Sequence, residues 1–340
     1  MVYCRQRTQP HGCGKGRTET FQWAFIGAGA IARKVAGEIA ENGHSVAAVY
    51  SRTPVRAEEF AQKCGARVCG SLEELLRSGA DAAYIATPHA SHYPYLMACI
   101  GAGMPVLCEK AFTVNAAQAE RALGFARQRG VFVMEGMWMR FLPVIRAVQN
   151  CIAAGEIGQI QSVQVEFSTG FSSSREGRPQ RLFRAEDAGG ALLDLGCYCV
   201  SFCRMLLGAP RSVDCRMKTE GGIDTEEAIT LGYDNARCEI VSSFDRPHRV
   251  FAEIVGSKGK IELPEFNAPV EARVYAGERV RELSGERGYR FEFDAFREDV
   301  RAGKTENALM PVADTLSVME TLDECRRQNK FTYPAEIEGV

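Results

Sequence analysis

The sequence carries no excess of charge of either sign. Lys+Arg 41 against Asp+Glu 43 leaves a formal net charge of -2 over 340 residues. A chain so balanced offers no general field for gathering nucleic acid or anionic lipid. It has no uncharged apolar run near the ~20 residues that cross a bilayer, and no internal repeat, low-complexity tract or separate linker. The C-x-x-C pair of zinc and redox sites is also missing, although Cys 13 is a high count. What remains is ordinary globular material, 46% hydrophobic and 25% charged, in a length that suits two domains.

The cysteines are odd in number, scattered and set in apolar stretches, as at Cys99, Cys108, Cys199, Cys203 and Cys238. That pattern does not fit the disulfide framework of a small secreted domain, and we expect a reduced, cytoplasmic compartment. Cys197, Cys199 and Cys203 crowd together, but only Cys199 and Cys203 share a helix face and no nearby histidine completes four ligands. They read as packing residues, and no metal is expected. Residues 1–20 are polar, basic and without apolar periodicity, which predicts a poorly ordered arm. No leucine-rich segment follows its basic residues, and Arg5 and Arg7 are not adjacent, so it does not read as a secretory or twin-arginine signal.

From Phe21 to Phe141 short apolar runs alternate with amphipathic segments. FQWAFIG, SVAAVYS, AAYIATP, PVLCEKA and VFVMEGM read as strands buried on both faces, and the stretches between them have helical spacing and glycine stops. This predicts a doubly wound parallel sheet, an α/β dinucleotide-binding domain over residues 21–141. Its first turn is Gly27-Ala28-Gly29-Ala30-Ile31-Ala32, a G-x-G-x-x-A. Gly27 permits the tight turn, Gly29 lets backbone N–H groups approach a pyrophosphate, and small Ala32 lets the helix pack close to the sheet.

The end of the second apolar run selects the cofactor. An NAD site usually has Asp or Glu there for the ribose 2′-OH, whereas this chain has Tyr50-Ser51-Arg52-Thr53. Arg52 offers a planar fork to a 2′-phosphate and Arg56, one turn on, a second cation, so NADP is expected over NAD. Three further strand ends face the place where ligands bind in open parallel sheets. They carry Thr87-Pro88-His89-Ala90-Ser91-His92, with Ser91 expected to cap the next helix, then Cys108-Glu109-Lys110-Ala111, and Trp138 with Arg140. A lysine at such a strand end is expected to have its pKa lowered by burial and a nearby cofactor.

The G-x-G-x-x-A turn, ATPHASH, GMPVLCEKA, EGMWMRFLP and GGALLDLGCY, in this order, resemble the glucose–fructose oxidoreductase / inositol dehydrogenase / rhizopine-catabolism (Gfo/Idh/MocA) oxidoreductase family. SRTPVRAEEFA, MWMRF and the tyrosine of the last motif look closest to its dihydrodiol dehydrogenase and NADP-dependent xylose dehydrogenase branch. The resemblance covers nearly everything after residue 20 and implies a catalytic group of Lys110, Asp194 and Tyr198. Where the family usually has Lys-Pro, this chain has Lys110-Ala111. Asp194 and Tyr198 are four apart and share a helix face. Tyr198 is expected to move the proton, with its pKa lowered by the Lys110 ammonium, Lys110 to bind the substrate oxygen, and Asp194 to orient. Lys110 is the competing acid–base. Cofactor contacts are expected at Gly27, Gly29, Ala30, Ile31, Ser51, Arg52, Arg56, Thr87, Pro88, His89, His92, Glu109, Lys110, Trp138 and Arg140.

After Phe141 the pattern changes to a helix from Pro143, alternating strands, a buried helix in ALLDLGCYCVSFCRMLLG, and closing helices over 292–303 and 311–328. We expect an α+β domain over 142–340 with an open, mostly antiparallel sheet. The resemblance implies that its exposed face pairs subunits into a homodimer or homotetramer. The segment 172–184, rich in Ser, Gly, Arg and Pro, reads as a mobile loop beside the site. Trp138, Arg140, Phe167, Phe171, Arg181, Phe183 and Tyr198 are candidates for a pocket that takes a sugar, cyclic polyol or trans-dihydrodiol. The expected activity is NADP-dependent oxidation of a secondary alcohol or the reverse. The alternatives are a non-catalytic NADP-sensing regulator, or an enzyme that keeps its cofactor and recycles it between two sugars.

Overall fold

The computed structural model describes residues 20–171 and 177–339. The expected N-terminal arm, Thr20 apart, and the first part of the expected loop at 172–184 lie outside the described residues.

The first layer is a parallel sheet of β1 (Phe21–Ile26), β2 (His44–Tyr50), β3 (Arg67–Val68), β4 (Ala82–Ile85), β5 (Val106–Glu109) and β6 (Val133–Gly136). Their order is β3-β2-β1-β4-β5-β6, with every neighbouring pair parallel. The order reverses between β1 and β4, which opens a crevice at their carboxyl ends. Trp23 to Ile26 on β1 and all of β4 are buried, as their continuous apolar runs require. The two residues of β3 are both exposed, so no apolar pattern marks that edge strand. Helices between the strands stop at left-handed Gly65 and Gly130, and Asn115 caps the helix Ala116–Arg129 through Gln118 N–H.

The second layer contains β7 (Ile160–Ser168), β8 (Ser212–Glu220), β9 (Ile223–Gly232), β10 (Arg237–Ser243), β11 (Arg249–Gly256), β12 (Gly259–Pro264), β13 (Glu271–Ala276) and β14 (Arg279–Ser284). Its order is β14-β13-β12-β11-β7-β10-β9-β8. The sheet is mostly antiparallel, as expected, with one parallel pair. β7 lies between β10 and β11, which run in opposite directions, so it must be parallel to one of them, and that one is β10. Strand β14 is largely exposed and charged, which hides it from apolar patterning.

A π-helical turn, Leu192–Gly196, leads into the helix Cys197–Leu207. Among the described residues, the stretch Ala185–Leu207 is long and apolar enough to cross a bilayer, with a mean hydropathy of 1.5, but most of it is buried within the protein. Its cysteines are free and buried.

The helix Arg290–Arg301 returns to the first sheet. Its Phe293 and Phe296 rings lie 4.7 and 4.9 Å from Trp23. Trp23 Nε1–H donates to His44 Nδ1 at 3.1 Å, and His44 Nε2 lies 3.0 Å from Asp294 on the same helix. Residues 142–340 therefore supply a covering element to the nucleotide-binding layer as well as a sheet of their own.

Candidate active site

At the end of β1, Gly27 has φ +104, and a Cβ there would stand 2.4 Å from the Ala86 carbonyl oxygen. Only glycine allows β1 and the end of β4 to approach so closely. Nothing lies within 4 Å of the position a Cβ would take on Gly29. The helix Ala30–Ile39 begins there with no side-chain cap and no acid in its first turn, so its N–H groups suit a pyrophosphate. The hydroxyl of Thr87, buried beside Gly27, has no hydrogen-bond partner among the described residues. The crevice thus fits a dinucleotide. Ala30 starts the helix, with half-buried Ile31 beside it on the core. Just past β2, Ser51 Oγ accepts the Thr53 N–H at 3.2 Å, while Arg52 and Arg56 are exposed. Neither arginine forms an ion pair among the described residues, which leaves both cations available to a 2′-phosphate.

The turn after β4 is a brace as much as a contact. Pro88 leads into a 3-10 turn, His89–Ser91, that runs straight into the helix His92–Gly101, so Ser91 is inside the turn and caps nothing. His92 is buried with its ring nitrogens each 2.9 Å from a backbone carbonyl, Ala111 on one side and Thr87 on the other. Its imidazole is committed to the backbone and supports the crevice from beneath. Burial lowers its pKa to about 4. His89 Nδ1–H donates to the Ala188 carbonyl at 2.9 Å, and burial with nearby Arg181 lowers its pKa to about 3. Glu109 is also buried, and accepts the Tyr84 hydroxyl at 2.5 Å.

Arg140, expected at the cofactor, makes its described bonds elsewhere. Its guanidinium is buried and bonded to Ser201, the Leu309 carbonyl and Asp314, the last at 2.6 Å. It ties the 3-10 turn Trp138–Phe141 to the C-terminal helices, and these bonds take four of its five N–H donors.

Lys110 stands where β5 ends, and the Lys110–Ala111 peptide is cis. Its Nζ donates to the Asp194 carbonyl at 2.7 Å and to Asp194 Oδ1 at 3.1 Å, and lies 4.8 Å from the centre of the Tyr198 ring. Lys110, Asp194 and Tyr198 meet, although 84 residues separate the first two. Arg181 approaches Asp194 to 3.7 Å. It belongs to a 3-10 turn, Gln180–Phe183, where the sequence reads as loop. Tyr198 accepts Trp138 Nε1–H at 3.0 Å, and Trp138 stacks on Tyr289 at 4.4 Å.

Two electrostatic expectations reverse. Burial, the largest influence, would lower the Lys110 pKa, but Asp194 together with Cys197 and Glu109 outweighs it and the net shift is upward. Burial likewise raises Tyr198 well above the ordinary phenol value, because the ammonium sits over the ring face and is spent on Asp194. Burial works against ionised Asp194, yet Lys110 and Arg181 hold its carboxyl down at about 2. The resting group is an ammonium, a carboxylate and a neutral phenol.

A cavity of about 520 Å³ opens on these residues, lined also by Phe167, Phe171, Thr169, His248, Glu265 and Asn267. Phe183 instead packs on Phe244 at 5.7 Å, next to Phe171. Sequence patterning misses Tyr289, a lone aromatic in a polar turn before a helix, and misses Asn267 and Glu265 in the turn after β12. Left-handed Glu265, φ +49, is a conformation that local periodicity does not announce.

Residues 21–137 match the model of the oxidoreductase family with an NAD-binding Rossmann fold, and residues 145–262 match the GFO/IDH/MocA C-terminal domain. The chain is 34% identical to trans-1,2-dihydrobenzene-1,2-diol dehydrogenase of Mus musculus, over 93% of this chain and 98% of the relative. It is 30% identical to the D-xylose 1-dehydrogenase (NADP(+)) of Hypocrea jecorina, over 95% of each. Aldose-aldose oxidoreductase from Caulobacter crescentus shares the fold with a TM-score of 0.82 at 21% identity, over 93% of this chain and 100% of that one. A 3-ketoreductase from Actinomadura kijaniata solved with NADP gives 0.80 at 24%, over 91% and 98%. The two matched domains, the identity sustained along the chain and the dinucleotide crevice agree: this protein is an oxidoreductase of the Gfo/Idh/MocA family.

Proposed function

We propose that this oxidoreductase moves a hydride between NADP and a secondary alcohol, or its carbonyl, on a sugar, cyclic polyol or trans-dihydrodiol. The observation that carries this is the meeting of Lys110, Asp194 and Tyr198 in one cavity at the carboxyl ends of the parallel strands. Unpaired Arg52 and Arg56, where NAD sites usually place an acid, support NADP. The names of the mouse and Hypocrea jecorina relatives support a diol or sugar.

Bound NADP supplies the hydride donor or acceptor; the chain supplies the rest. Lys110 has three N–H donors, two of them on Asp194, which leaves one for the substrate oxygen. In reduction, Tyr198 gives its phenolic proton to the carbonyl oxygen as hydride reaches the carbon, and the alcohol forms. Trp138 Nε1–H then steadies the phenolate, which regains its proton from water. In oxidation the phenolate accepts the hydroxyl proton as hydride leaves the carbon. Phe167 and Phe171 offer flat apolar walls to a ring. The hollow on the outer face of the second sheet, with Glu166, Arg237, Glu239 and Phe251, is where we expect a second copy to pair.

The test is a panel of aldoses, inositols, vicinal diols and their carbonyl forms, followed at the nicotinamide absorbance with both cofactors. Turnover with NADP of one or more is expected. Tight NADP binding with no turnover of any would replace the enzyme by a sensor.

A further inference from the structure

We infer that Asp224 is a positioning residue: by fixing the Gly189-Gly190 turn and the start of the π-helical turn, it sets where Asp194 meets Lys110. This rests on Lys110, Asp194 and Tyr198 being the reactive group. Asp224 lies on β9, wholly buried and remote in sequence from all of them. A carboxylate withdrawn from water needs partners, and these are specific. One oxygen accepts the Leu192 backbone N–H at 2.6 Å, and the other faces the Tyr333 hydroxyl at 3.2 Å. That hydroxyl also lies 2.9 Å from the Gly189 carbonyl. Gly190 has φ +122, and a Cβ there would stand 2.2 Å from Asp224 Oδ1. The turn therefore rests directly on the carboxylate, which accounts for its glycine.

The turn is tied on its other side by the His89 bond to Ala188. Two residues beyond Leu192, Asp194 receives Lys110 with both its backbone carbonyl and its side chain. A displaced side chain can rotate back to the ammonium, whereas a displaced carbonyl cannot. Loss of the Asp224 anchor thus moves the fixed half of the contact, and with it the ammonium that meets substrate.

The experiment compares Asp224→Ala, Asp224→Asn and Tyr333→Phe with the unchanged protein, with kcat expressed per NADPH-binding site and thermal midpoints recorded. Asp224→Ala is expected to lower kcat about a hundredfold, the scale of a ~1 Å misplacement, with NADPH affinity and substrate KM changed far less. Asp224→Asn keeps an acceptor for the Leu192 N–H and is expected to recover most of that loss. Tyr333→Phe is expected to fall between the two. A lower thermal midpoint with unaltered kcat per site in all three overturns the proposal. Should Asp224→Ala not fold, wild-type kcat in both Asp224→Asn and Tyr333→Phe does the same. Tyr198→Phe separates the wider assignment: if it keeps activity, or the unchanged protein has none, the reaction assignment fails and this proposal falls with it. If Tyr198→Phe is inactive and the Asp224 series is not impaired, only the positioning role is lost.

Discussion

Tyr198→Phe removes a single oxygen from a buried site and tests the proton route directly. The loss of a positioned general acid typically costs 10²–10⁴ in rate, about 3–5 kcal/mol of barrier, and we expect kcat to fall within that range. NADPH affinity is expected to hold, because the groups proposed to face the phosphates, Gly27, Gly29 and Arg52, stand at other strand ends. The Trp138 N–H loses its acceptor, so the fold should weaken by about 1–3 kcal/mol. The pH behaviour follows from the raised Tyr198 pKa. A phenol that holds its proton to unusually high pH remains the acid form throughout neutrality, so reduction stays flat there and falls only on the alkaline side. Oxidation needs the phenolate and rises with pH. The variant should lose both trends. Initial rates in both directions between about pH 6 and 10, with fluorescence titration of NADPH, measure all of this. More than about a tenth of the activity remaining, set against the 10²-fold minimum loss, would refute the assignment and move the proton role to Lys110.

Arg52→Glu is expected to weaken NADP binding about ten- to a hundredfold, the worth of a charge-assisted hydrogen bond, while NAD binding changes little. The thermal midpoint should not move, since Arg52 is exposed; equal affinities for the two cofactors in the unchanged protein would sink the argument. Arg140→Ala should destabilise by about 1–3 kcal/mol in urea titration, because it strips the Leu309 carbonyl and Ser201 of their buried partner and leaves Asp314 with Arg204 alone. NADPH affinity of the folded protein should be unaffected, and a specific loss of that affinity would restore Arg140 to the cofactor site.

What could be read from the sequence follows the range of the signal. The strand-to-helix glycines and the buried parallel strands are local patterns with a local cause, whereas the grouping of Lys110, Asp194 and Tyr198 is implied only by the family resemblance. Arg140 misleads because its partners Ser201, Leu309 and Asp314 are remote, and one arginine at a strand end looks like another until those partners are placed. The Lys110 pKa direction depends on burial set against Asp194 and other nearby groups, and that of Tyr198 on burial, neither of which spacing contains. The parallel β7–β10 pair arises from the late arrival of β10 and β11 on either side of an early strand. The π-helical turn is held by Asp224 from another element, so the helical periodicity around Asp194 gives no sign of it.

The helix Arg290–Arg301 has a consequence for how the chain is made. Trp23, on the first strand, is covered by Phe293 and Phe296, about 270 residues later in synthesis. At ~5–20 residues per second the ribosome takes roughly 15–50 s to deliver that cover. During this interval the Trp23 indole on the nascent sheet lacks its cover, and that apolar flank is open to aggregation until the helix arrives.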